Sequence, residues 1–182
     1  MKKIIIILNL LLISQALFAQ KLIISKNAPV TFFSSTILED IEGKSAEGNS
    51  VLDLSTRNIL FRVRNSSFQF KKKLMQEHFN ENYIESEKYP YSTFKGKIVE
   101  NIDLSKEGTF QVNIQGNLDI HGISKPYQTK ATLVIHNGSI DAKTVFKVKV
   151  ADHQIKVPSL VFKNIAEYVE VRISALYQPK SL

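Results

Sequence analysis

The sequence predicts a mainly β, antiparallel fold of about eight strands with one short helix. Two observations support it. Apolar and polar residues alternate strictly over several segments, and turn dipeptides separate these segments at short intervals. One further segment, Leu74–Tyr83, spaces its apolar residues four apart and predicts the helix. Many short strands at close spacing are typical of a β-barrel or a β-sandwich, and the strand pattern alone leaves both open.

The clearest strand begins at Gln111. Val112, Ile114, Leu118 and Ile120 share one face, and the residues between them are mostly polar. The same alternation occurs in the segments NILFRVRN, VFKVKVA and YVEVRISA. These four segments are therefore predicted to be half-buried antiparallel strands.

Three dipeptides are predicted to form turns between strands. Asn137-Gly138 supplies the positive φ angles that a tight hairpin needs. Gly48-Asn49 and Glu107-Gly108 are read as two further turns because glycine interrupts the alternation there.

The predicted helix carries an apolar stripe. Met75, Phe79 and Tyr83, with Leu74 beside them, are expected to face the interior, while the polar residues between them face water. If the strands close into a barrel, a helix at this position closes one mouth with that stripe. The helix is then either a fixed plug or a lid that opens, and the sequence leaves both open.

The N-terminal segment has the form of a secretory signal peptide. Lys2 and Lys3 precede an apolar run, and small residues follow as far as Ala19. The run is too short to span a bilayer. We expect a signal peptide at residues 1–19, a mature domain at residues 20–182, and a periplasmic or secreted protein.

Composition narrows the function classes. The chain has no cysteine, which excludes disulfides, cysteine-based catalysis and a lipid anchor on cysteine. Loss of two lysines with the signal peptide lowers the formal net charge from +7 to about +5. Apart from Lys71–Lys73 the basic residues are scattered, so no nucleic-acid partner is expected. Transient contact with a membrane surface stays open.

Candidate catalytic and metal-binding residues are few. His78 and Glu81 lie three apart on the predicted helix, but a metal site needs three or four such groups. His121 is conceivable as a base for Ser124 or Ser139, yet the sequence has no nucleophile elbow or glycine-rich loop to accompany it. We therefore expect no catalytic site, no metal site and no enzyme, and keep a lipid-modifying enzyme as the weakest of three hypotheses.

Three segments, taken in order, resemble a known family. MQEHFNENYIESEKYPYSTFKGKI joins a His-bearing helix to Tyr-Pro and Thr-Phe steps, and GNLDIHGISKP ends a strand in a Gly-containing turn. The closing section FKVKVADHQIKVPSLVFKNIAEYVEVRISALYQP follows with an apolar-Pro-x-Leu step. Together they resemble the YceI-like family of bacterial secreted lipid-binding proteins, from about Phe32 to the C-terminus.

This resemblance implies a lipocalin-like antiparallel β-barrel capped by the helix. It also implies an apolar tunnel that holds a polyisoprenoid or another long-chain lipid without transforming it. The bound lipid is then the expected ligand and partner, and no cofactor is expected. The oligomeric state is left undetermined.

Strand alternation and the helix stripe direct one set of apolar side chains to the interior. By pattern alone they form an ordinary core, which corresponds to the alternative function: a filled barrel acting as a structural or protein-interaction module. The resemblance instead implies that they bind lipid. The set is Phe61, Val63, Met75, Phe79, Phe94, Phe110, Val112, Ile114, Leu118, Ile120, Leu133, Ile135, Phe146, Val148, Val171 and Ile173.

Overall fold

The structure is a computed structural model that describes residues 22–156 and 165–178. Within these ranges the chain forms nine strands, one short helix and two 3₁₀ turns. The strands are β1 (Leu22–Ser35), β2 (Asp40–Asp53), β3 (Asn58–Arg64), β4 (Gln69–Phe70), β5 (Tyr91–Ile98), β6 (Gly108–Ile120), β7 (Ile123–His136), β8 (Ser139–Lys149) and β9 (Tyr168–Tyr177). The helix α1 (Lys73–His78) continues as a wider π-helical turn over Phe79–Tyr83, and the 3₁₀ turns are Asn65–Ser67 and Val150–His153.

Eight of these strands close into an antiparallel barrel. The order is β1-β9-β8-β7-β6-β5-β3-β2, and pairing of β2 with β1 closes the ring. The two-residue strand β4 lies outside the ring and pairs with β2 at Gly43 and Lys44. The predicted mainly β barrel with one short capping helix is confirmed, and the sandwich is excluded.

The alternating segments fold as predicted. They form β3, β6, β8 and β9. Asn137 and Gly138 adopt φ angles of 49° and 71° in the β7–β8 hairpin, which only short or glycine-like residues adopt readily. Gly108 begins β6 directly after a loop, which also agrees with the prediction.

The turn predicted at Gly48-Asn49 is wrong. Gly48 lies inside β2, opposite Ala28, where the β1–β2 register shifts at a bulge. A Cβ at Gly48 would collide with the Ala28 carbonyl oxygen and crowd the Phe61 ring. Glycine is therefore needed here for a close approach inside a strand, a use that sequence pattern does not separate from a turn.

The two ends of the barrel differ. One end is packed: Leu52, Ile98, Leu133 and Ile140 are almost completely buried there, and Leu104 from the β5–β6 loop packs against the same cluster. α1 lies at the other end, where β1, β3, β6 and β8 finish. The helix end is therefore the end at which the barrel is less tightly packed.

Some predictions concern residues outside the described ranges. The signal peptide expected at residues 1–19 and the Pro-containing step near Pro158 belong to them. No helix within the described part of the chain is long and apolar enough to cross a membrane.

Candidate functional site

A cavity of about 350 Å³ runs through the barrel interior. It reaches from Leu52, Leu133 and Tyr177 at the packed end to Glu39 and Met75 at the helix end. Its volume lies in the range of about 300–1,000 Å³ that ligand pockets usually have. The interior is therefore not completely filled by its own side chains.

The walls are apolar because strand alternation turns one face of every strand inward. In β7 the inward positions are Tyr127, Thr129, Ala131 and Leu133, which all line the cavity. Small residues contribute as well: Ala142 in β8 lines the same space. Alanine leaves room where a larger side chain would fill the barrel.

Four phenylalanines form an aromatic cluster at the helix end. The ring of Phe79 lies 5.3 Å from Phe32, 5.7 Å from Phe68 and 5.1 Å from Phe70, measured between ring centroids. These separations are those of favourable aromatic pairs. Phe79 therefore anchors the helical segment to β1, β4 and the segment before β4, and all four rings line the cavity.

The helical stripe was predicted correctly at three of four positions. Met75, Phe79 and Tyr83 line the cavity. Leu74 is the exception, because its side chain is 61% exposed and does not line the cavity. The helix widens after His78, and the N–H of Ile84 donates to the Phe79 carbonyl five residues earlier. Such π-helical turns are rare and occur frequently at functional sites.

The segment after the helix is fixed to the barrel by a buried asparagine. Asn65 Nδ2 donates to the Tyr89 carbonyl at 2.6 Å, and its backbone N–H donates to the Pro90 carbonyl at 2.9 Å. The hydroxyl of Ser92 donates to Asn65 Oδ1 at 2.8 Å. This network satisfies a side chain that is 1% exposed and holds the helix end in place.

A second connection involves two histidines. His121 Nε2 lies 2.7 Å from a carboxylate oxygen of Glu85, and His121 Nδ1 lies 3.1 Å from the His153 carbonyl oxygen. His153 is fully buried, and its Nδ1 lies 3.0 Å from the Ile123 carbonyl oxygen. Burial lowers the pKa of His153 below 6.5. The buried ring is therefore neutral at neutral pH.

The cavity itself holds little charge. Among the described residues, Glu39, His78 and Lys143 are the lining residues with an acidic or basic side chain. Glu39 pairs with Lys72 at 2.7 Å, and Lys143 pairs with Asp141 at 3.1 Å. A ligand in this space therefore meets mainly aliphatic and aromatic walls.

Three tyrosines line the cavity without adding charge. Burial raises the pKa of Tyr83, Tyr127 and Tyr177, so each phenol stays protonated at neutral pH. The Tyr177 hydroxyl is hydrogen-bonded to the Ser50 hydroxyl at 2.7 Å near the packed end.

Thirteen of the sixteen residues predicted to bind lipid lie on the cavity wall. The other three, Phe110, Val112 and Ile135, belong to or pack against the core of the packed end. Alternation placed them on the correct face, but it carries no information about how deep the cavity extends. The thirteen are Phe61, Val63, Met75, Phe79, Phe94, Ile114, Leu118, Ile120, Leu133, Phe146, Val148, Val171 and Ile173.

Sequence reasoning missed other wall residues. Ala131 shares the face of Leu133, and Ala175 shares that of Ile173, so extending the same alternation finds both. Phe32, Phe68 and Phe70 are different, because they converge only when the two-residue strand β4 folds against β2.

In the part of the chain that the structure describes, His121 has partners other than the serines suggested for it. Both ring nitrogens of His121 contact Glu85 or a carbonyl oxygen, and neither has a serine hydroxyl as a hydrogen-bond partner. Among the described residues, no three His, Cys, Asp or Glu side chains are grouped so as to hold a metal ion.

Comparison with known families identifies the barrel. The model of the YceI-like domain matches residues 23–176. The chain belongs to the YceI-like family. This match covers the barrel strands apart from the first residue of β1 and the last residue of β9, it includes α1, and it confirms the resemblance found in the sequence.

Solved structures of YceI-like and related proteins share the fold. A polyisoprenoid-binding domain from Saccharophagus degradans, implicated in plant cell wall breakdown, aligns with a TM-score of 0.75 at 13% identity, covering 88% of this chain and 99% of its own. BcnA from Burkholderia cenocepacia aligns with a TM-score of 0.69 at 16% identity, covering 82% and 95%. The Campylobacter jejuni YCEI protein gives 0.59 at 17% identity, covering 77% and 85%. No curated protein matches the chain.

Proposed function

We propose that this YceI-like protein binds one long-chain apolar lipid, of the polyisoprenoid type, inside its barrel. The observation that carries the proposal is the apolar cavity of about 350 Å³ beneath the helix. The related domain from Saccharophagus degradans, described as polyisoprenoid-binding, supports the same ligand class.

The walls provide the driving force without a charged anchor. Each buried CH₂ group contributes about 0.8 kcal/mol on transfer from water. A chain that buries on the order of ten such groups gains roughly 8 kcal/mol, from which the cost of association is subtracted. Chain length rather than head-group charge should therefore dominate affinity.

The cavity also argues against the filled barrel. A structural or interaction module has no use for an unfilled interior, because close packing adds dispersion energy that a cavity forfeits. Small wall residues such as Ala131 and Ala142 keep this space available.

In this proposal the protein binds the lipid and does not transform it chemically. His121 is engaged by Glu85 and the His153 carbonyl oxygen, so it is not positioned as a base for a serine. We expect His78→Gln and His121→Asn to carry the same lipid, chemically unchanged, as the wild type. An unprocessed lipid that accumulates in either variant would support an enzyme instead.

The proposed location is the periplasm or the outside of the cell. It rests on the Lys-Lys start, the short apolar run and the small residues before Ala19. An exported carrier would meet long-chain lipids at the membranes on either side of that compartment.

A chain-length titration tests the proposed ligand class. Delipidated protein is mixed with a short prenyl alcohol or with its longer homologues, and Tm is measured by calorimetry. Every homologue is added at the same concentration, and one that is present at 100 times its own Kd stabilises the protein by about 2.7 kcal/mol. At about 2–4 °C per kcal/mol for a protein of this size, Tm rises by about 5–10 °C.

The two outcomes of the titration differ clearly. The proposal predicts that Tm rises further with each longer homologue until the cavity is full. Equal or absent shifts for all chain lengths would contradict it.

A further inference from the structure

Two neighbouring apolar side chains are exposed at the hairpin between β1 and β2. Ile37 is fully exposed, and Leu38 is 64% exposed. The loop between these strands has four residues, 36–39, and loops of this kind are usually built from polar or small residues that face water without penalty. An Ile-Leu pair at this position therefore needs an explanation other than turn geometry.

The hairpin holds these side chains outward by local hydrogen bonds. The backbone N–H of Thr36 donates to the Glu39 carbonyl at 3.1 Å. The Thr36 hydroxyl accepts from the N–H groups of Leu38 at 3.3 Å and of Glu39 at 3.2 Å. The turn is thus closed on itself, and its apolar pair points away from the barrel.

A basic segment lies directly beside this hairpin. Lys72 Nζ contacts Glu39 Oε1 at 2.7 Å and so links the turn to the start of α1. Lys71 and Lys73 flank it, and Leu74, 61% exposed, follows. We call Ile37, Leu38, Leu74 and Lys71–Lys73 together the rim surface.

The rim surface borders the mouth of the cavity. Ser34 and Glu39 at the base of the hairpin line the cavity, and so do Met75 and His78 of the helix. A partner that binds to the rim surface would therefore contact the helix end of the barrel. This is the end through which a lipid can enter, because the opposite end is packed.

We propose that the rim surface docks the protein on an anionic phospholipid bilayer with the cavity mouth towards the lipid. The inference rests on the proposed lipid-binding function, for which a bilayer is the source or destination of the ligand. Ile37, Leu38 and Leu74 insert among the acyl chains, and the three lysines lie at the level of the phosphates.

The charges fit this orientation. Glu39 and Glu77 oppose the lysines, with Lys73 3.6 Å from Glu77, while Lys71 has no ion-pair partner among the described residues. Exposed ion pairs contribute little in water, so phosphates can replace the glutamates as partners. Each lysine near an anionic surface is attracted to it, and salt weakens that attraction.

Vesicle flotation tests the inference. The mature protein is mixed with vesicles of phosphatidylcholine alone or with added phosphatidylglycerol, and the floated fraction is measured. We expect binding to the anionic vesicles that falls as salt is added. We expect the double variant Ile37→Asp/Leu38→Asp to bind at least ~tenfold less, and Lys71→Gln/Lys72→Gln/Lys73→Gln to lose ~tenfold or more.

Matched controls separate the rim surface from general changes. Val134→Asp/Val145→Asp changes two apolar residues that are 43% and 56% exposed on the barrel wall, and it adds the same two negative charges as the rim variant. Lys95→Gln/Lys97→Gln/Lys130→Gln removes three exposed wall lysines and changes the net charge equally. Both controls should float like the wild type. Circular dichroism and Tm confirm that every variant is folded.

The results distinguish this inference from the proposed function. Equal binding of rim variants and their controls, or no binding of the wild type, would overturn the docking surface. Lipid found in the same preparation would then still support the proposed function. Loss of binding confined to the rim variants supports docking, even if no lipid is found in the cavity.

Discussion

Identical substitutions at two isoleucines separate a ligand tunnel from ordinary core. Ile114 in β6 lines the cavity, whereas Ile135 in β7 lies in the packed end and is 3% exposed. Ile114→Trp places an indole where about 350 Å³ of space exists. Ile135→Trp adds the same atoms where no space exists.

The expected magnitudes follow from packing. Overpacking a filled core costs about 1–3 kcal/mol. At about 2–4 °C per kcal/mol for a protein of this size, Ile135→Trp should lower Tm by about 2–12 °C. Delipidated Ile114→Trp should melt within a few degrees of delipidated wild type, since its indole enters the cavity.

The assay is calorimetry on delipidated proteins, before and after addition of a prenyl lipid. Wild type and Ile135→Trp should gain stability when lipid returns, by mass action on the folded state. Ile114→Trp should gain none, because its indole occupies the ligand space. A large loss of stability in lipid-free Ile114→Trp would refute the tunnel and leave a filled barrel.

Three further predictions concern other parts of the chain. The pKa of His153 lies below 6.5 in the folded protein, so the unfolded state binds more protons and the free energy of unfolding falls as pH drops through about 6.5. In urea denaturation at several pH values, the free energy of unfolding of His153→Gln should fall less steeply with pH than that of the wild type, and an unchanged slope would contradict this cause. Asn65→Ala should lower the free energy of unfolding by about 1–3 kcal/mol, because the Tyr89 carbonyl loses its donor. In the same denaturation assay, Asn58→Ala at an exposed position should change stability by less than about 0.5 kcal/mol, and equal losses for the two variants would argue against the buried network. N-terminal sequencing of the exported protein should begin at or near Gln20, and an intact initiator methionine would contradict a signal peptide.

The barrel was predictable because its information is local. Strict alternation in β3, β6, β8 and β9 fixes which side chains face inward, and Asn137-Gly138 fixes one hairpin. The folded barrel keeps this alternation, because shifting the register of a strand by one residue would turn its whole apolar face towards water. Gly48 was misassigned because a glycine needed for close approach and a glycine needed for a turn look alike in a sequence.

The candidate site was predictable only in part. Alternation directs the side chains of both Ile114 and Ile135 to the barrel interior. It cannot show that Ile114 lines a cavity whereas Ile135 belongs to the packed end. The contact of Phe32 with Phe70 depends on pairing between β2 and the short strand β4. No local sequence pattern predicts this pairing. Leu74 was misplaced because helical spacing alone does not fix where an apolar stripe ends.

Organic extraction and mass spectrometry of the purified protein test the central claim most directly. Wild type, Ile114→Trp and Ile135→Trp are purified in parallel from the same host and extracted without added lipid. The account predicts a long-chain apolar lipid near one equivalent in wild type and Ile135→Trp, and its absence from Ile114→Trp. No lipid in the wild type, or the same amount in all three proteins, would contradict a lipid held in the barrel cavity.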